Sequence, residues 1–170
     1  MFDKGEMVFY KNIGVCKVVD ITKLDFAMDE DQKYYVMESV FKNGVNYVPV
    51  GAGIENIRNI ISKEEAEKLI DMIPEIEAEA ILDLATKEMT EYYEEKINSG
   101  DPLDILKLTL SIDRKKEILA EEKKKFGAID DNYLKKAIDM LFEEIAAAVG
   151  IEKEKMPQYI KDRTGYNFTE

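Results

Sequence analysis

The chain has 170 residues, 45% of them apolar, with 24 basic and 36 acidic side chains and a net charge of −12. Such a chain can bury the core of one domain or two small ones. Its acidity repels phosphate and argues against strong non-specific nucleic-acid binding, and no apolar run approaches the roughly 20 residues of a membrane span.

Met1 leads directly into a strand pattern with no apolar leader segment, so a soluble, cytoplasmic protein is expected. Met7–Tyr10 is a short β-prone run, and Gly14 supplies a turn before a second run over 15–21. Cys16, the single cysteine, lies in that second run among valines, where it reads as a small strand-filling residue; no internal disulfide can form. Asp29-Glu30-Asp31 mimics the start of a calcium loop. However, the required glycine is Tyr34 and the closing glutamate is Val40, so an acidic hairpin tip is the better reading.

Residues 33–41 form a strong strand pattern. Asn43-Gly44 then predicts a two-residue type I′ turn into an antiparallel strand over 45–50, with Pro49 at an edge or strand end. A closing strand is expected over 57–61. Five short strands in about 60 residues suggest a strongly bent sheet or partly open barrel of the SH3-like or Tudor-like kind. Such a module often leaves a sheet edge free to bond to a partner.

From Ser62 onward the chain reads as helix. Ser62-Lys63-Glu64-Glu65 is a capping box, and Ala66, Leu69, Ile70 and Ile73 form the apolar stripe of a helix over 62–73, expected to pack between the two halves. A second helix is expected over about 78–98, with Ile81, Leu84, Ala85, Met89, Tyr92 and Ile97 buried. Gly100-Asp101-Pro102 combines a stop, an N-cap and a first helical residue. A third helix follows over 102–125, ended by Gly127, and a fourth over 132–149, ended by Gly150. Residues 151–170 are expected to form a tail that folds back on the bundle. The fold class expected is α+β: a β module at 1–61 and a helical domain at 62–170.

Residues 1–61 carry seven basic and nine acidic side chains, which leaves 17 and 27 for the helical half. Arg114, Lys115, Lys116, Lys123, Lys124 and Lys125, with Lys135-Lys136, read either as a solvated face or as a local basic patch for a nucleic-acid backbone. The adjacent pairs Glu94-Glu95, Glu121-Glu122 and Glu143-Glu144 point in different directions and are expected at the surface. The chain has no histidine, which removes His-based triads and nearly all catalytic zinc sites. No catalytic residue, metal site, cofactor or small-molecule substrate is expected, and an enzyme using carboxylates alone is the least favoured reading.

The ordered set Phe2, Gly5-Glu6, Val8, Tyr10, Gly14-Val15, Val18, Ile21, Tyr35, Val48-Pro49-Val50, Ile57-Arg58 and Ser62-Lys63-Glu64-Glu65-Ala66 resembles the CarD/CdnL family. Ser99-Gly100-Asp101 and Leu134, Ala137, Leu141 and Glu144 continue the resemblance, which spans most of 1–149. That family shares its N-terminal Tudor-like module with the RNA-polymerase-interacting domain of transcription-repair coupling factor. The resemblance implies a bacterial, non-enzymatic transcription regulator docked through a sheet edge on the RNA polymerase β subunit. Leu24, Phe26, Asn46 and Tyr47 would lie at the contact.

In the family, a tryptophan of the helical domain wedges at the promoter fork and basic residues hold the backbone. This chain has no tryptophan. Thr86 stands at the wedge position, with Glu88 and Met89 at nearby basic positions, and Tyr10-Lys11 replaces the usual Tyr-Pro. Threonine lacks the stacking area of an indole, which is worth roughly 1–3 kcal/mol per unpaired base. Promoter DNA is therefore expected as a weak contact at most. The competing reading is a polymerase-independent protein-interaction module with an acidic helical spacer.

Overall fold

A computed structural model describes residues 1–168. The chain divides into two compact units, Met1–Ile61 and Ser62–Glu170. No helix among the described residues is long and apolar enough to cross a membrane.

The first unit is an antiparallel sheet of β1 (Met7–Tyr10), β2 (Gly14–Lys23), β3 (Lys33–Ser39), β4 (Val45–Pro49) and β5 (Ile57–Asn59), in the order β4-β3-β2-β1-β5. The terminal strands β4 and β5 do not pair, so the sheet stays open where a closed barrel would have none of these edges. Its core gathers Val8, Cys16, Val18, Tyr35, Met37, Val48 and Ile57. Val18 and Ile21 both face this core although three residues apart, a spacing that strict alternation forbids. A β-bulge between Val18 and Asp20 inserts the extra residue that brings them to one face. The N-terminal segment closes the core: Phe2 packs edge-on against Tyr35 at 5.8 Å, and its N–H donates to the Tyr35 hydroxyl at 3.2 Å.

The connection from β3 to β4 corrects the expected two-residue turn. Ser39 N–H donates to Gly44 C=O at 3.0 Å, and Val40 N–H donates to Val15 C=O at 3.0 Å. β3 thus stays bound to β2 until its end, and residues 40–43 form the loop. Asn43 does not take the positive φ that a type I′ turn demands, while Gly44 does, at 152°.

The second unit holds α1 (Lys63–Asp71), α2 (Thr86–Asn98), α3 (Pro102–Glu121), α4 (Ala128–Val149) and α5 (Met156–Thr164). The capping box of α1 forms in full, with Glu65 N–H donating to Ser62 Oγ at 3.1 Å and Ser62 N–H to Glu65 Oε2 at 2.8 Å. Within this unit α1 packs on α4 and α5.

Three helix boundaries differ from the sequence pattern. α2 starts at Thr86 because residues 76–80 run extended: Ile76, Ala78 and Ala80 are half-buried, alternating with exposed Glu77 and Glu79. Ser111 Oγ on α3 donates to Glu79 C=O at 2.6 Å and holds the strand-like segment there. Leu84 and Ala85 are consequently exposed, and Tyr93 rather than Tyr92 is fully buried. α3 stops at Glu121, since Lys123 takes the left-handed conformation (φ 57°) and Lys124 N–H returns to Leu119 C=O at 2.8 Å. Gly127 then serves as the N-cap of α4, four residues ahead of the expected start.

Of the tail, residues 151–168 pack as part of the bundle, and the last two lie outside the described residues. Met156 and Ile160 are fully buried, Phe168 packs edge-on against Phe142, and the Tyr166 hydroxyl donates to Asp113. Arg163 bridges back to Asp71 on α1 with bonds of 2.6 and 3.0 Å. Glu143 and Glu144 are buried, not at the surface, and Lys153 reaches Glu143 at 3.3 Å and Asp139 at 2.9 Å. If α5 is core, Ile160→Ala costs about 2–5 kcal/mol in chemical denaturation, as for other buried aliphatic truncations; a change within about 0.5 kcal/mol is the value for a surface residue.

Candidate protein-docking edge

β4 is bonded on one side only, to β3, in the register Tyr35↔Val48, Val36↔Tyr47, Met37↔Asn46 and Glu38↔Val45. Val50 N–H donates to Lys33 C=O at 2.9 Å, which makes that pair hydrogen-bonded. Antiparallel pairs alternate, so Val48, Asn46 and Gly44 also direct their peptide groups into the sheet. Ser39 N–H donating to Gly44 C=O agrees with this phase. Val45, Tyr47 and Pro49 therefore point theirs outward. Pro49 has no N–H to lose, and its C=O accepts from Ala52 N–H at 3.3 Å. The open edge presents the N–H and C=O groups of Val45 and Tyr47, in a strand free of charged side chains.

Apolar side chains surround this edge. Tyr47 is 46% exposed and Val45 48%, values too high for a face that packs within the unit. The β2–β3 connection brings Phe26, 72% exposed, edge-on against Tyr47 with ring centroids 5.5 Å apart. Ala27 N–H donates to Leu24 C=O at 3.1 Å, closing the turn that carries Phe26. Leu24 and Asn46 are half-buried, Asn46 lying on the core face of β4. The fold thus joins Phe26 and Tyr47, which are 21 positions apart in sequence, in one aromatic pair. Val45 escapes the sequence reading; the signal for it was its two-residue spacing from Tyr47, which puts both on one face.

The acidic stretch of the same connection forms a local turn. Asp31 N–H donates to Asp29 Oδ1 at 3.0 Å and Lys23 bridges Asp31 at 3.0 Å. Among the described residues no group of three or more His, Cys, Asp or Glu side chains is placed to hold a metal.

In the helical unit the expected basic cluster does not stay together. Lys115 leaves it: the side chain is buried, with its ammonium 2.9 Å from Asp130 Oδ2 and 3.2 Å from Met89 Sδ. The helical period turns Lys115 inward while Arg114 and Lys116 flank it outward. Arg114 pairs with Glu117 at 2.7 Å, Lys124 pairs with Glu122 at 3.0 Å, and Lys116 lies over the Phe126 ring. Lys123 and Lys125 are exposed beyond the end of α3. Thr86 is exposed at the first position of α2, followed by exposed Glu88 and buried Met89. A cleft of about 530 Å³ between α2, α3 and the extended segment mixes Glu79 and Asp104 with Lys96 and Lys107.

Lys115 belongs to a buried network that ties three helices together. Asp130 on α4 accepts from Lys115 on α3 and from the Tyr93 hydroxyl on α2 at 2.7 Å. Lys115→Ala leaves the Asp130 carboxylate buried without its cation and costs about 3–5 kcal/mol, whereas Lys124→Ala stays within about 0.5 kcal/mol. Denaturation of the two variants separates these roles. Burial first, and then Asp130, raise the Tyr93 phenol far above the ordinary tyrosine range. A raised folded value gives a contribution that is complete below about pH 10 and is lost as pH rises above it. Tyr93→Phe therefore shows a shallower alkaline decline in stability than wild type, measured between neutral and strongly alkaline pH.

Residues 2–61 match the family model described as the CarD-like/TRCF RID domain. No curated protein matches the chain. The matched residues coincide with the β unit and include β4, Phe26 and Tyr47. Domains of this kind are RNA polymerase β-interacting modules. The likeness to the CarD-like/TRCF RID domain thus covers the N-terminal unit, residues 2–61.

Proposed function

We propose that this protein is a non-enzymatic transcription regulator that docks on the RNA polymerase β subunit through the β4 edge and modulates initiation. The carrying observation is the uncharged open edge of β4, flanked by the exposed Phe26–Tyr47 pair, inside the residues that match the family. A strand added to such an edge gains main-chain bonds from Val45 and Tyr47, and the apolar pair supplies side-chain specificity. Leu24 and Asn46 frame the same surface.

Promoter DNA has the weaker claim. The helical half carries 27 acidic against 17 basic side chains, and Lys115 is occupied by Asp130. Thr86 offers no stacking surface. Lys116, Lys123 and Lys125 are left as backbone contacts, made only when polymerase holds the protein at the promoter. The same charge balance favours, as the second reading, an edge that serves another protein with the helical unit as an acidic spacer. A crosslinking pull-down that recovers no polymerase subunit selects that alternative.

Calorimetric titration of the cognate polymerase β lobe into the full chain tests the docking. Wild type should bind saturably. Tyr47→Glu, which sets a charge at the edge and disrupts the aromatic pair, should weaken binding roughly tenfold or more, the effect of losing about 1.4 kcal/mol at an interface centre. Absence of binding by folded wild type contradicts the reading.

A further inference from the structure

The edge that offers itself to polymerase is also self-complementary. We propose that the free protein forms a two-fold dimer by pairing β4 with β4 of a second copy, so that self-association masks the docking edge; the masking rests on the polymerase reading above. Two antiparallel copies of β4 with the two-fold axis at Asn46 set Val45 of each opposite Tyr47 of the other. Val45 and Tyr47 are the residues whose peptide groups point outward. Each Val45–Tyr47 pair then exchanges both of its N–H···O=C bonds, and the two pairs together close four. Pro49 falls opposite Asn43, beyond these pairs, so its missing N–H subtracts none of the four. A second copy is thus satisfied by the same donors and acceptors, in the same spacing, that the edge presents.

The side chains of β4 agree with that occupant. Val45 and Tyr47 lie on one face of β4, so pairing places each Tyr47 ring beside Val45 of the other copy, an aromatic–β-branched cross-strand pair. Phe26, already against Tyr47, extends the apolar contact. β4 has no charged residue between Val45 and Pro49, and residues 1–61 contribute only −2 of the −12. Of the usual protections of an edge strand, β4 lacks a lysine and an inward-pointing charge; Pro49 is present but lies beyond the four bonds. The repulsion that opposes pairing comes mainly from the acidic helical units, and salt screens it over about 8 Å at physiological ionic strength. Dimerisation should therefore strengthen as salt rises, the reverse of an association driven by opposite charges.

Sedimentation equilibrium and amide hydrogen exchange of the full chain test this together. The expected result is a monomer–dimer equilibrium that tightens with added salt, with the Val45 and Tyr47 amides gaining protection as concentration rises. The exchange measurement uses wild type only, so it does not depend on any variant folding. Val45→Pro removes an N–H that has no partner within the unit, and with it two of the four intermolecular bonds; it should raise the dimer dissociation constant about tenfold or more. Adding the polymerase β lobe should convert dimer to a one-to-one complex. A chain that stays monomeric across the accessible concentration range overturns the proposal, as does a dimer whose Val45 and Tyr47 amides gain no protection. A dimer that the lobe binds without dissociating overturns the masking. A lobe that binds a strictly monomeric chain leaves the polymerase reading intact, whereas an edge-paired dimer indifferent to the lobe removes that reading and keeps self-association.

Discussion

Which way the peptide groups of β4 face is settled at Val50, whose N–H donates to Lys33 C=O. Everything proposed for the β unit depends on that phase. A slip of one residue would turn Val45 and Tyr47 into the sheet and bring Asn46 and Val48 outward, exposing a core valine. Three features hold the register against slippage: Val48 in the core opposite Tyr35, the Ser39–Gly44 bond at the far end, and Pro49, tolerated only where its N–H is not needed. The outward phase of Val45 and Tyr47 is thus a by-product of core packing. Tyr35 anchors β4 from below, receiving Phe2 at its ring and hydroxyl and Val48 across the strand pair.

The helical unit is organised by buried ionic contacts as well as by apolar stripes. Asp130, buried with Lys115, draws α2, α3 and α4 together through Tyr93 and Lys115, while Arg163 of α5 pairs with Asp71 at the surface and the Tyr166 hydroxyl donates to Asp113. Arg163 holds the Asp71 carboxyl below its usual range. The Lys115–Asp130 contact enlists charges that a surface patch would have left in water. Lys115 is thereby withdrawn from the surface, and Arg114 and Lys124 are paired with glutamates there.

Much of this was readable in the residues, and the failures have identifiable causes. The capping box at Ser62 was legible, because a cap is encoded by neighbours in sequence. Strand existence was legible from β-branched and aromatic runs. The Asn43-Gly44 turn misled because local φ preference was overridden by a bond from Val40 to Val15, which no short window contains. The helical spacing of Ile81, Leu84 and Met89 suggested a longer α2, but Ser111 holds Glu79 in an extended segment. Lys115 looked like part of a charge run; only the position of Asp130, 15 residues away, shows that it points inward. For the docking edge, the family pattern drew attention to Phe26 and Tyr47, and Val45 emerged only with the register. Sequence motifs carry residue types well and carry the phase of an edge poorly.

The central claim is that partners are received on the outward peptide groups of β4. Its most direct test is a residue-resolved NMR titration of the full chain, isotope-labelled, with the unlabelled polymerase β lobe. The account predicts that the Val45 and Tyr47 amides shift and become protected from exchange first, together with the Phe26 and Tyr47 ring signals, while the Asn46 and Val48 amides keep their existing partners. Perturbation centred on the helical unit, with the Val45 and Tyr47 amides still exchanging freely at saturation, would contradict it.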